Sequence, residues 1–255
     1  MNYKQYFAII VFKTKAELKA ERQRTYLGFI WWILEPVMFL GIFYVIFGHF
    51  RQTGQENFVQ FLLTGLILWQ WFKSSISQSS SVIIFHINLL RQVKIPAWLF
   101  PVIKVSANTV KFVLVLILLI LFLMATGFTP NLNYIYLIEI LLIQFLLING
   151  IVLCLASIVP FIPDINVVVD NLLMGIFFVT GIFFPMSQIP EPMQSLLYLN
   201  PMARIIKNAR DIMIDNVPPN QMDLLYVLAI ALILLTIGLY LFHRFQNSYA
   251  KLSEG

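Results

Sequence analysis

A chain of 255 residues in which 60% of the side chains are hydrophobic and 11% charged, with a mean hydropathy of +0.84, falls far from the balance of a water-soluble domain. A core of this size cannot absorb 23 Phe along with its Leu and Ile without spreading them over the surface, so lipid must act as a second apolar phase. The net charge of +5 does not point to nucleic acid, because much of the basic charge lies beside a hydrophobic run, where anionic headgroups are the natural counter-charge.

Residues 3–24 mix Tyr6, Ile9 and Ile10 with Lys13, Glu17 and the run Lys19 to Arg24, a pattern that predicts an amphipathic helix at the membrane interface. The short apolar patch Tyr6 to Phe12 is followed by charges and not by a small-residue cleavage site, so no cleavable signal is expected. A first span is predicted at about 29–48, opening with Trp31 and Trp32 and interrupted by Glu35 and Pro36. A second, at about 58–79, contains Trp69, Trp71 and Lys73 and ends in serines that should face protein or water. Residues 82–96 read as a short amphipathic helix and a turn at one membrane face. The third span, about 98–125, carries Lys104 and Lys111 seven residues apart, on nearly one helical face. The fourth, about 134–159, holds Glu139, Gln144 and Asn149 and stops at Pro160. The fifth, about 166–184, ends in Gly181 and Pro185, and the sixth, about 224–242, is an uncharged 19-residue run. Between the last two, residues 186–222 are less apolar, with short helices expected near Leu196 to Tyr198 and Ala203 to Ile214.

Each run should be helical, since hydrocarbon offers no partner to an open backbone. With both termini cytoplasmic, Lys4, Lys13, Lys15, Lys19, Arg22, Arg24, Arg91, Lys94, Arg244 and Lys251 lie inside, against Arg51, Arg204, Lys207 and Arg210 outside. That bias satisfies the positive-inside rule. The cluster of Arg204, Lys207 and Arg210 opposes it, which implies either a re-entrant segment or a miscounted span; Asp211 and Asp215 stand at helical spacing to neutralise part of it.

Catalytic signatures are missing. The sequence has no GxxxxGK[ST] phosphate loop, no HExxH, no CxxC and no GxSxG, and its three histidines fall in unrelated segments. Cys154 alone sets up no disulfide framework. Neither catalytic nor metal residues are expected, and any energy source must lie outside this chain.

The stretch Lys15 to Pro36, KAELKAERQRTYLGFIWWILEP, closely resembles the permeases of ABC-type (ABC-2) polysaccharide exporters, the family that exports O-antigen, capsular polysaccharide or teichoic acid. The run Asn88-Leu-Leu-Arg-Gln-Val-Lys-Ile-Pro96 is similar to that family's cytoplasmic turn after the second span, and Gly181 to Pro185 with Leu199-Asn-Pro201 is similar to its segment before the last span. The resemblance implies one all-α integral membrane unit over residues 1–255, with six transmembrane helices, an N-terminal interface helix and short re-entrant helices within 186–222. It further implies a bacterial inner-membrane permease that pairs with a second copy of itself and exports a lipid-linked polysaccharide. Two ATP-binding subunits would hold the ATP and Mg, and this chain would have no cofactor of its own. A permease for teichoic acid, a drug or a small lipid is the alternative within the class. A membrane-embedded lipid- or sugar-modifying enzyme is the alternative outside it.

On that reading, Asn88, Leu89, Arg91, Lys94 and Pro96 form the segment that couples to the ATPase, with Arg22, Arg24 and Glu35 at the same rim. Trp69, Trp71, Phe177, Phe178, Phe183 and Phe184 are candidates for the translocation path, because sugars present apolar C–H patches to aromatic faces. Lys111, deep in a span, is expected either to touch a lipid-linked diphosphate or to pair with a carboxylate such as Asp170. Arg204, Lys207 and Arg210 are expected at the outer mouth, facing anionic lipid or sugar phosphate.

Overall fold

The computed structural model describes residues 3–24, 28–31, 33–34, 37–38, 41–42, 57–92, 95–185 and 189–249. Among these the chain is helical, with no strand. The helices are α1 (Tyr3–Arg24), α2 (Phe58–Ser80), α3 (Val82–Gln92), α4 (Leu99–Ala125), α5 (Ile135–Ile158), α6 (Ile165–Phe178), α7 (Glu191–Leu197), α8 (Pro201–Met213) and α9 (Gln221–Tyr249). The predicted first span lies mostly outside the described residues.

Three helical stretches are long and apolar enough to cross a bilayer: Leu99–Ala125, Leu132–Ile158 and Gln221–Phe245. The protein is therefore a multi-pass membrane protein. Helix α2 is also long, at 23 residues, but Gln60, Gln70, Lys73 and its closing serines make it less lipid-like. It compensates by burial, since the stretch from Leu62 to Trp69 is almost fully enclosed by neighbouring helices.

The fifth predicted span is shorter than expected. Helix α6 has 14 residues, about 21 Å at 1.5 Å per residue, short of a hydrocarbon core of about 30 Å. It ends at Phe178; just beyond, the Thr180 hydroxyl donates back to the Ile176 carbonyl, and Gly181 takes a left-handed φ of +73°, which only glycine adopts without strain, turning the chain away from the helix axis. The chain continues as an irregular turn through Pro185.

The bundle alternates in direction. Helix α2 runs from the end that holds α8 to the end that holds α3, and α4 returns. Trp71 of α2 meets Thr109 and Phe112 of α4, while Asn108 Nδ2 donates to the Ser74 carbonyl at 3.3 Å, an antiparallel register. Helices α5 and α9 run parallel and form the most extensive contact in the described chain. Gly150 and Gly238 allow it: a Cβ on Gly150 would lie 2.9 Å from Leu234 Cβ, and one on Gly238 2.6 Å from Leu153 Cβ. Small residues serve this purpose between membrane helices, where close backbone approach supplies dispersion that lipid contact would not improve upon.

Helix α1 does not stand apart from the bundle. Tyr6 lies 5.7 Å from Trp98 between ring centroids, Glu17 pairs with Lys104 at 2.8 Å, and Glu21 pairs with Lys111 at 2.8 Å. From Tyr6 to Glu21 is about 22 Å along α1, and from Trp98 to Lys111 about 20 Å along α4, so the two helices run side by side. The opposite side of α1 exposes Phe7 and Phe12 at 70% and 71%.

Candidate functional site

Helices α2 and α6 diverge around a cleft of about 220 Å³, lined by Leu63, Leu66, Ile67, Trp69, Gln70, Lys73, Leu173, Met174, Phe177 and Phe178. Position 69 and position 73 are one turn apart on α2, and 173, 174, 177 and 178 repeat at helical spacing on α6, so both helices turn one face to the same space. Rings cluster along it. Trp69 stands 5.8 Å from Phe177, Phe177 is 5.2 Å from Phe178, and Phe183 meets Phe177 edge-on at 5.0 Å. Phe184 follows in the turn, half-buried. Five of the six rings expected along the path thus come from one region, and four of them form a contiguous set.

Trp71 is the exception. Both tryptophans of α2 are buried, Trp69 at 2% and Trp71 at 3% exposed, but Trp71 stacks on Phe112 at 4.1 Å with a 12° interplanar angle and donates its indole N–H to Thr109 Oγ1 at 3.3 Å. The reason is geometric: two residues on a helix lie about 200° apart, so Trp69 and Trp71 cannot share a face. Trp71 belongs to the α2–α4 contact, away from the cleft.

Lys111 does pair with a carboxylate, one of the two outcomes expected for it, but the partner is Glu21 and not Asp170. Its ammonium lies between the two carboxylate oxygens of Glu21, at 2.8 and 3.0 Å, while Asp170 is exposed on α6. The carboxylate comes from α1, a helix whose position no spacing rule along α4 reveals.

The three cations expected at the outer mouth are engaged within the chain. Arg204 Nη1 donates to Asp223 at 2.6 Å, its Nε donates to the Tyr198 carbonyl, and its guanidinium covers the Tyr226 ring at 4.1 Å. Asn208 reinforces this junction of α8 with α9 by donating to Asp223 and accepting from the Asn220 N–H. Lys207 pairs with Asp211 at 3.0 Å, one helical turn on, as the spacing suggests. Asp215 does not complete an ion pair; burial first, then Asp211 beside it, pushes its carboxyl up from the usual range.

Arg210 is enclosed. Only 7% exposed, it stacks over the Phe61 ring and donates to three backbone carbonyls: Phe61 at 3.0 Å, Gly181 at 2.7 Å and Ile182 at 2.9 Å. It thereby ties the start of α2 to the turn after α6, the turn that carries Phe183. Gly65 makes room for it, since a Cβ there would lie 2.5 Å from Nη2. Arg210 is a fastener of the fold and not part of a mouth.

The coupling segment is only partly in view. Helix α3 forms where expected, and Leu89 packs half-buried against the cluster of Ile83, Phe100 and Phe242. Pro96 accepts from the Leu99 N–H at 3.1 Å and starts the turn into α4. Arg22 is exposed near the end of α1. The side chains of Asn88, Arg91 and Arg24, and the whole of Lys94 and Glu35, lie outside the described residues. No group of three His, Cys, Asp or Glu residues suited to a metal occurs among the described residues.

Sequence reasoning placed Lys73 in the second span without giving it a role, and passed over Gly65, Gly150 and Gly238. Lys73 was visible as the only charge in α2, whereas nothing local distinguishes the three glycines from any other helical glycine.

The family model for the ABC-2 type transporter matches residues 10–214. Among curated proteins, the chain is 30% identical to the O-antigen export system permease protein RfbA of Myxococcus xanthus, over 97% of this chain and 96% of that one. It is 27% identical to the protein of the same name from Klebsiella pneumoniae, over 96% and 95%. The polysialic acid transport protein KpsM of Escherichia coli is 28% identical over 91% of each chain.

Proposed function

Because this chain belongs to the ABC-2 type transporter family, we propose that it is the permease subunit of an ATP-driven exporter of lipid-linked polysaccharide of the O-antigen or capsule type. The observation that carries this reading is the similarity to O-antigen export permeases along nearly the whole chain. The ring-lined cleft agrees with it, since aromatic faces guide a glycan by its C–H patches without holding one repeat tightly.

Within this proposal the chain acts as a dimer in the inner membrane, with six spans, both termini cytoplasmic and the segment around α7 and α8 re-entrant from the outer face. The whole chain forms one transmembrane unit. ATP and Mg are held by two partner subunits, and this chain performs no bond chemistry. Closure of the partners on nucleotide would move α3 as a rigid body, and its packing on α4 through the Ile83–Phe100 cluster gives that motion a route into the bundle.

The test is co-expression with ATP-binding proteins that carry the GxxxxGK[ST] loop, followed by purification in detergent. A two-plus-two complex whose ATP hydrolysis depends on this chain, together with loss of surface glycan when its gene is removed, is the expected result. Intact surface glycan in the deletion strain would refute the cargo and favour a drug or small-lipid permease.

A further inference from the structure

Three lysines interrupt the apolar helices α2 and α4, and two of them have dedicated carboxylates. Lys104 has Glu17 and Lys111 has Glu21, each at 2.8 Å. Lys73 is level with Lys111: Trp71 contacts Thr109 and Phe112, and Ser74 contacts Asn108, so position 73 stands within about one turn of position 111 along the bundle. A cation at that depth requires an anion or a route to water. Among the described residues Lys73 forms no ion pair, and it lines the cleft between α2 and α6 instead.

The cleft offers three kinds of surface in a single space. Leu63, Leu66 and Leu173 are aliphatic, Phe177 and Phe178 present rings with Trp69 buried behind Phe177, and Lys73 supplies one cation. Its volume of about 220 Å³ exceeds the ~150 Å³ at which an apolar protein cavity takes up a benzene ring, so a length of hydrocarbon chain fits. A bulk phospholipid would use the aliphatic wall and the cation but has no use for the rings. An amphiphile that joins an apolar chain, a phosphate and a sugar uses all three.

We propose that Lys73 holds the phosphate of a lipid-linked sugar, with the lipid chain on the aliphatic wall of the α2–α6 cleft and the first sugar against Phe177 and Phe178. The assignment rests on the exporter reading and names the part of the cargo that this cleft recognises. Lysine suits the role, since its ammonium is a compact charge on a flexible stem that can follow a phosphate as the chain moves.

The experiment uses the full chain in detergent and the intrinsic fluorescence of Trp69, isolated by subtracting the response of Trp69→Phe. The probes are a glucosyl-phospho-polyprenol, the corresponding uncharged polyprenol, and phosphatidylglycerol. Saturable binding of the phospho-sugar is expected, at least tenfold weaker in Lys73→Met, less than threefold weaker in Lys73→Arg, and at least tenfold weaker for the uncharged polyprenol. Leu173→Trp, which fills the cleft from the opposite helix, should abolish binding without touching the lysine. Equal affinity in Lys73→Met, or retained binding in Leu173→Trp, would overturn the assignment. So would displacement of the probe by a tenfold excess of phosphatidylglycerol, which would make the cleft a bulk-lipid site. Should Lys73→Met bind normally while deletion of the gene still abolishes surface glycan, the assignment falls and the exporter reading stands.

Discussion

Replacement of Gly238 by Ala tests whether the α5–α9 contact holds the bundle together. A methyl group there would lie 2.6 Å from Leu153 Cβ, 3.0 Å from the Cys154 nitrogen and 3.1 Å from the Leu153 carbonyl carbon. Two of these atoms are backbone and cannot swing aside. Non-bonded carbons settle near 3.5–4.0 Å, so α9 must withdraw by about 1 Å or tilt. Such overpacking costs about 1–3 kcal/mol, against which alanine returns up to ~1 kcal/mol of helix propensity. With backbone atoms doing the blocking, the upper part of that range applies, about 2–3 kcal/mol, and the net loss of about 1–2 kcal/mol corresponds to a drop of roughly 2–8 °C in melting temperature for a chain of this size. Gly150→Ala should behave alike, because its added methyl meets Leu234 Cβ, the Ala231 carbonyl oxygen and the Leu235 nitrogen at 2.9–3.1 Å. One withdrawal of α9 relieves both clashes, so the double variant should lose less than the sum of the two. Gly175 is the control: it lies within α6 with open space around it, and Gly175→Ala should be neutral or slightly stabilising. Thermal unfolding of the detergent-solubilised chain, followed by fluorescence-detected size exclusion, reads all four variants. Gly238→Ala melting together with Gly175→Ala would refute the argument.

Arg210→Met should strip the Gly181 and Ile182 carbonyls of their donor, at about 1–3 kcal/mol for each group left unpaired, remove the extra bond to the Phe61 carbonyl, and yield little monodisperse protein. Arg210→Lys should recover only part of it, because one ammonium does not span the three-point arrangement. Lys111→Met should lower the folded fraction by leaving Glu21 without its cation, and Glu21→Leu with Lys111→Met should restore it; unchanged folding in the single variant would return Lys111 to the list of transport residues. Trp71→Ala should destabilise by about 3–5 kcal/mol through loss of its stack on Phe112, measured by the same melting assay. Ala at Phe177, Phe178 or Phe183 should instead slow glycan export with complex assembly unchanged, and unimpaired export in all three would remove the ring-guided path.

Much of the fold was legible because its cause is local. Runs such as Phe112 to Met124 have no aqueous solution, and the hydrogen-bonding demands of a backbone in lipid make them helices whatever their neighbours do. The expected spans at 98–125, 134–159 and 224–242 therefore fall on α4, α5 and α9, each long and apolar enough to cross a bilayer, the stretch 58–79 is helical as α2, and the short helices before the last span appear as α7 and α8. Punctuation was less legible. Gly181 was read as the end of the fifth span, but its left-handed φ follows a helix that has already ended at Phe178, and the turn so formed is fastened by an arginine 29 residues further on.

The candidate site divides along the same line. That Trp69, Phe177, Phe178 and Phe183 suit a sugar follows from the chemistry of their rings, and the family follows from ordered motifs along the chain. Which ring faces the cleft is a question of helical phase and neighbours, and it separates Trp69 from Trp71 although they stand two residues apart. The charges show the limit most clearly. Sequence determined that a lysine deep in a span must find an anion, but Glu21, Asp223 and three carbonyls as the partners of Lys111, Arg204 and Arg210 were decided only by the packing of distant helices. Hydrophobic burial depends on composition over a run and survives small changes of geometry, whereas an ion pair depends on where two side chains from separate elements come to lie within 3–4 Å of each other.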